Sequence, residues 1–220
     1  MHLPDGFVSA PVAGATTALA LIACAVSIRK TRKTLDTKTV PLLGVTAAFI
    51  FSAQMINFPV AAGTSGHVLG AALAVALLGP YSGLLVMTVT LVLQALLFAD
   101  GGITALGANL VNMGLVGGGV AWLVLQSART MRLPARFLPL AGGVAAWLSL
   151  VTASATCAAI LSFSGIVPAK LVFPAMIGVH AIIGLGEGIV TASALSLILA
   201  WRPDLLNVAP QSALYRGRLA

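Results

Sequence analysis

Three nitrogen donors lie within the first two residues of this chain. Met1 offers its α-amine, and His2 offers its main-chain amide nitrogen and its imidazole Nδ1. Together these atoms can close a five-membered and a six-membered chelate ring around one metal ion. One in-plane position stays open, and the imidazole of His67 would fill it. Planar nitrogen ligation suits Ni(II) or Cu(II), and low-spin Co(II) can be forced into it. The amine and the amide must each lose a proton to bind, so metal capture would release protons. The chemistry also needs an unprocessed Met1. Its removal generally requires a small second residue, and His2 is bulky. The plainer reading of His2 is a frayed terminus. Against it stands Pro4-Asp5-Gly6, a turn sequence able to fold the first residues back.

Two further titratable residues lie in apolar surroundings. His180 and Glu187 are seven positions apart, hence on one face of a helix. Glu187 is the only acid inside an apolar run, and an acid at membrane depth is costly and by default functional. It is expected as a polar tie to Asn109, Asn112 or Gln94, as a relay, or as a coupling element, and not as a direct ligand. A helix histidine such as His180 is more often a satisfied polar residue than a ligand. The stretch 57–66 carries no charge and contains glycine, so it is expected to tuck into the protein. Its Asn57, Thr64 and Ser65 are candidates to hydrogen-bond the ligands from behind.

The elements that must position these groups are read from composition. Of 220 residues, 59% are apolar and 8% are charged. A soluble domain carries roughly a quarter charged residues, so the chain is expected to be a polytopic membrane protein. A spanning helix needs about 20 apolar residues. Runs at 8–28, 39–59, 67–79, 82–99, 103–126, 137–163 and 175–200 meet or approach that length. They lack the alternation of a barrel, and open strands cannot span lipid, so the fold class is all-α in a single transmembrane domain, 1–220. Taken as one helix, 67–99 would be about 50 Å long, more than a bilayer core, and Gly79-Pro80 is a breaker. Splitting it gives seven helices.

Charge then predicts orientation. With seven helices and the N-terminus outside, eleven of the twelve basic residues fall on the cytoplasmic side and only Lys170 stays out. All three histidines then share the outer side. Asp5 precedes the first run and basic residues follow it, the reverse of a signal peptide, so no cleavage is expected. The net charge of +7 is assigned to orientation and not to nucleic acid. Cys24 and Cys157 lie in apolar runs and read as small core residues. Small residues four apart, Ala10/Gly14/Ala18, Gly66/Gly70 and Gly184/Gly188/Ala192, are expected to serve internal packing or the docking of another membrane subunit.

These residues carry a family resemblance. Met1-His2-Leu3-Pro4-Asp5-Gly6-Phe7 is similar to the start of the substrate-binding membrane components of energy-coupling-factor nickel and cobalt transporters, with Leu3 where Ile is usual. The segment 57–70, with Gly-Thr-Ser-Gly-His, resembles that family's metal loop, and 180–191 resembles its last-helix motif. The resemblance covers essentially the whole chain. It implies seven helices, an outer N-terminus inserted into the bundle, and metal ligation by Met1, His2 and His67. It implies a transported Co(II) or Ni(II) and no permanently bound cofactor. The chain has no G-x-x-x-x-G-K-[ST] loop, so cytoplasmic ATPase subunits would supply the power through a transmembrane coupling subunit. A small accessory membrane subunit is common in the family. The resemblance places the chain in the bacterial inner membrane.

Two other readings compete. Gly63-Thr64-Ser65-Gly66 fits the short motif of rhomboid-like intramembrane serine proteases, with His180 as the base. A channel or a purely structural membrane protein would bind no metal tightly.

Overall fold

The computed structural model describes residues 1–37, 39–60 and 65–207, with only the main chain described at Phe58 and Pro59. Gly63 and Thr64, named above, and the basic residues Lys38, Arg216 and Arg218, counted above, lie outside these residues. The described fold is helical apart from one small ladder. Helix α1 spans Ala10–Thr31, α2 Thr39–Gln54 and α3 Ala71–Leu97. Helix α4, Leu106–Asn109, runs into a π-helical stretch, Leu110–Gly117, and then into α5, Gly118–Thr130, as one rod. Helices α6, Leu138–Phe163, and α7, Ala169–Trp201, complete the set. Strands β1, Asn57–Pro59, and β2, Ser65–His67, pair antiparallel with Asn57 opposite His67.

Five of these elements are long and apolar enough to cross a membrane: α1, α3, the rod, the 29-residue helical stretch ending in α6, and α7. Helix α2, at 16 residues, is shorter. In the apolar windows of α3, the rod and α6, 67%, 61% and 56% of residues are buried, against 11% for α1 and 22% for α7. The first three therefore form the inside, and α1 and α7 turn their apolar surface outward. That suits a bilayer, where exposed Leu21, Ile22, Ile182 and Ile189 meet hydrocarbon at no cost.

The expected helix ends shift where backbone chemistry intervenes. Helix α2 stops at Gln54 and not at 59, because 57–59 pairs as a strand. His67 does not open a helix. It closes β2, and α3 begins at Ala71 after Gly70, whose φ of 76° favours glycine. The last helix begins at Ala169, ahead of the expected 175.

Gly79-Pro80 interrupts the helical geometry of α3 and divides it into two helical segments across a kink. Gly79 takes φ 76° and ψ 175° inside α3. Pro80 has no N–H, which orphans the carbonyl of Ala76 four residues earlier. The Asn207 N–H donates to that carbonyl at 3.0 Å, so the segment that follows α7 fills the gap.

The small residues divide between two uses. A Cβ on Gly188 would lie 3.0 Å from the Gly143 carbonyl oxygen, and one on Gly184 2.9 Å from Trp147 Cδ1. These glycines let α6 and α7 touch at the backbone, and Trp147 Nε1–H donates to the Ala181 carbonyl at the same crossing. Ala10, Gly14 and Ala18 are exposed along α1.

Candidate metal centre

The N-terminal segment is buried and held along its length. The side chains of Met1, His2 and Leu3 are all buried. Leu3 is clamped like a strand residue: its N–H donates to Asn109 Oδ1 at 2.8 Å, and Asn109 Nδ2–H returns to the Leu3 carbonyl at 3.1 Å. The Gly102 N–H donates to the same carbonyl at 2.8 Å. Asp5 Oδ1 accepts the Thr104 N–H at 2.7 Å and the Thr104 hydroxyl at 2.6 Å. The turn itself closes through the Phe7 N–H on the Pro4 carbonyl at 3.3 Å. Gly102 permits this approach, since a Cβ there would sit 2.3 Å from the Asp5 nitrogen.

This seat delivers the Met1 amine to β2. The amine donates to the Ser65 carbonyl and lies 3.2 Å from Ser65 Oγ. The Met1 carbonyl faces Cys157 Sγ at 3.6 Å. Burial pushes the amine down to about 5, so its lone pair is free near neutral pH.

Two imidazoles meet beside it. The rings of His2 and His67 are stacked, with centroids 4.5 Å apart and planes at 23°. His67 Nδ1–H donates to the Val68 carbonyl at 2.7 Å, which leaves Nε2 as the lone-pair nitrogen. His67 Nε2 is buried without a hydrogen-bond partner, and so is His2 Nδ1. His2 Nε2 faces Gln94 Oε1 at 3.1 Å. Burial holds both imidazoles neutral, His2 down to about 3 and His67 well below its ordinary value. Two neutral imidazoles with bare, buried nitrogens therefore lie side by side.

A negative group stands next to the pair. Asp100 Oδ1 is 3.2 Å from His2 Nδ1. Burial raises the Asp100 carboxyl above its usual range, against the opposing pull of the Met1 amine and of a hydrogen bond from Asn57. Among the described residues, no three His, Cys, Asp or Glu side chains converge as a metal-binding group. A four-coordinate site here would need main-chain nitrogen as well as side chains.

Glu187 does not reach Asn109, Asn112 or Gln94. Its Oε2 accepts the Leu69 N–H at 2.7 Å and its Oε1 the Gly70 N–H at 2.8 Å. The carboxylate thus holds the two N–H groups just ahead of α3, two and three residues past His67. His180 Nδ1–H donates to the Met176 carbonyl at 2.7 Å, and its Nε2 is buried without a partner. That Nε2 lies 3.6 Å from where a Cβ on Gly66 would stand, so His180 borders β2.

The comparisons with known proteins agree on one family. Residues 2–205 match the model of CbiM, described as the cobalt uptake substrate-specific transmembrane region. The chain belongs to the CbiM family. A relative from Archaeoglobus fulgidus, whose name assigns it to nickel transport in fused NikMN form, is 42% identical over 94% of this chain and 68% of its own. The cobalt transport protein CbiM of Sorangium cellulosum is 35% identical over 94% of this chain and 95% of its own. A crystal structure of a transition metal transporter superposes with TM-score 0.85 at 27% identity, covering 100% of this chain and 99% of its own.

This CbiM-family chain is thus a multi-pass protein of the cell membrane, of a family that transports cobalt and nickel. Its fold gathers Met1, His2, Ser65 and His67 at one point, with His180 at the edge and Asn57 behind Asp100. Ser65 Oγ faces the Met1 amine and not His180 Nε2, so the described residues contain no hydrogen-bonded serine–histidine pair of the protease kind. Sequence reasoning missed Asp100 and Gln54. The Asp100-Gly101-Gly102 turn was the available signal for the first, and a glutamine inside an apolar run for the second.

Proposed function

We propose that this chain is the substrate-binding membrane subunit of an ATP-driven energy-coupling-factor importer for Co(II) or Ni(II). The Met1 amine, the His2 amide nitrogen, His2 Nδ1 and His67 Nε2 are its four ligands. The observation that carries this reading is the burial of the Met1 amine against Ser65, beside two stacked neutral imidazoles that each keep one buried ring nitrogen without a hydrogen-bond partner. Burying bare polar nitrogens is costly, and a bound cation repays that cost. Asp100 supplies compensating charge, and Asn57 and Ser65 hold the surround.

The same reading takes α2, the two halves of α3 and the four other long elements as seven segments, with the N-terminus outside and the C-terminus in the cytoplasm. The metal is captured from outside. ATP is hydrolysed on partner ATPase subunits, and a transmembrane coupling subunit conveys the work, with a small accessory membrane subunit in the complex. The metal is cargo, so the site must release it as well as bind it.

The test is metal content and affinity of the purified chain, with and without His2→Ala. The expected result is one Co(II) or Ni(II) per chain in the parent and none retained in the variant. Unchanged stoichiometric binding in the variant overturns the assignment.

A further inference from the structure

A line of buried amides joins Glu187 to His2. Glu187 Oε1 accepts the Gly70 N–H at 2.8 Å. The carbonyl of that same peptide group, Leu69 O, accepts Gln54 Nε2–H at 2.7 Å. Gln54 Oε1 accepts Gln94 Nε2–H at 3.0 Å, and Gln94 Oε1 faces His2 Nε2 at 3.1 Å. All four side chains are buried, so no water competes for these contacts.

The direction of every link is forced. A carboxylate and a main-chain carbonyl only accept, and an N–H only donates. The Gln54 group facing Leu69 O must be its NH2, which turns its oxygen to Gln94. Gln94 must then point its NH2 at Gln54 and its oxygen at His2. The group facing that oxygen must be Nε2–H. Three amide dipoles, one from the main chain and two from side chains, therefore lie head to tail from the carboxylate to the imidazole. Aligned hydrogen bonds polarise one another, so the charge on Glu187 strengthens the last acceptor in the line.

We propose that Glu187 is a positioning residue for His2, acting through the Leu69–Gly70 peptide, Gln54 and Gln94 to fix the Nε2–H tautomer and leave Nδ1 as the lone-pair nitrogen. The value of this to a metal rests on the ligand assignment made above; the tautomer itself does not. Asp100 is the competitor. Its carboxylate, 3.2 Å from Nδ1, favours the opposite tautomer, Nδ1–H. The relay decides against it. A carboxylate that orients a ligating histidine usually does so directly, and here it does so across three amides.

The chain has three histidines, which makes the test direct. Metal-free protein carrying 15N-labelled histidine is studied by NMR, with each ring assigned by substitution. The expected result is Nε2–H for His2 and Nδ1–H for His67 and His180, the latter two anchored on the Val68 and Met176 carbonyls. Glu187→Ala and Gln54→Met should each move His2 toward Nδ1–H while His67 and His180 keep their signatures. A fold merely loosened would disturb all three. Adding Gln94→Glu to Gln54→Met should restore Nε2–H, because a carboxylate at 94 accepts from His2 without the relay. Parent His2 found as Nδ1–H or doubly protonated overturns the proposal, as does His2 unmoved by Glu187→Ala or unmoved by Gln54→Met. In the expected case, Co(II) affinity also falls by about tenfold in Gln54→Met. Parent protein that binds no metal yet shows Nε2–H at His2 sinks the ligand assignment and supports the relay.

Discussion

The imidazoles of His2 and His67 lie face to face, 4.5 Å between centroids, although a turn, two helices and a strand separate them in the chain. Stacking places His67 over the His2 ring. A planar site closed by His2 Nδ1 needs the fourth nitrogen near the plane of that ring. Loading should therefore unstack the pair. In diamagnetic Ni(II)-loaded protein, the His67 ring-proton NMR signals should lose the upfield shift caused by the neighbouring ring. Unchanged ring shifts on stoichiometric loading would contradict a planar site.

An extra residue ahead of Met1 should remove the amine from the site. It converts the terminal nitrogen into an amide at a place where Met1 is fully buried. Metal affinity should fall more than about 100-fold, beyond the loss typical of a contact behind a ligand. Titration calorimetry of a Gly-extended chain against the parent reads this. Equal affinities would exclude the amine.

Asp5 gives the seat a pH signature. The Thr104 hydroxyl and then its N–H donate to the Asp5 carboxylate, which holds its pKa below the ordinary 3.8. Once the segment is released, that value returns to normal. The clamp therefore contributes fully above the ordinary value and is lost as pH falls through the lowered one. Hydrogen exchange at the Leu3 N–H should be faster in Asp5→Ala than in the parent at neutral pH. The difference should begin to shrink as pH falls below about 4 and vanish once pH has fallen through the lowered value. A difference that grew on acidification would contradict the clamp.

Gly102→Ala should unseat the N-terminus without unfolding the helices. The new Cβ would stand 2.3 Å from the Asp5 nitrogen, and forcing it in costs about 2 kcal/mol. Gly119→Ala is the control, since nothing lies within 4 Å of a Cβ there and Ala is the better helix former. Metal affinity should drop about tenfold or more in the first variant and hold in the second, with unchanged far-ultraviolet circular dichroism in both. Equal affinities would mean that Gly102 plays no part in seating Asp5.

Much of this was legible as sequence. Long uncharged runs became helices because hydrocarbon leaves no alternative, and Pro4-Asp5-Gly6 turned the chain back as its composition predicts. Helix ends were not legible where tertiary pairing set them. Nothing local says that Asn57 pairs with His67, yet that ladder stops α2 at Gln54 and delays α3 to Ala71. The partner of Glu187 was hidden for a related reason. A search among side chains finds Asn109, Asn112 and Gln94, whereas its real partners are main-chain N–H groups at a junction visible only once the strand exists. Asp100 was missed because its distance from His2 is a property of two segments meeting.

The bond from Asn207 to Ala76 is made by a peptide N–H, and that has a consequence for mutational scanning. Every amino acid but one supplies the same donor, so alanine replacement at 207 would leave the latch in place. Only proline there would open it, and the stranded carbonyl would belong to a residue of unchanged identity far up the chain. A tie of this sort is silent in side-chain surveys and free of selection on residue type, and it is lost by shortening the polypeptide.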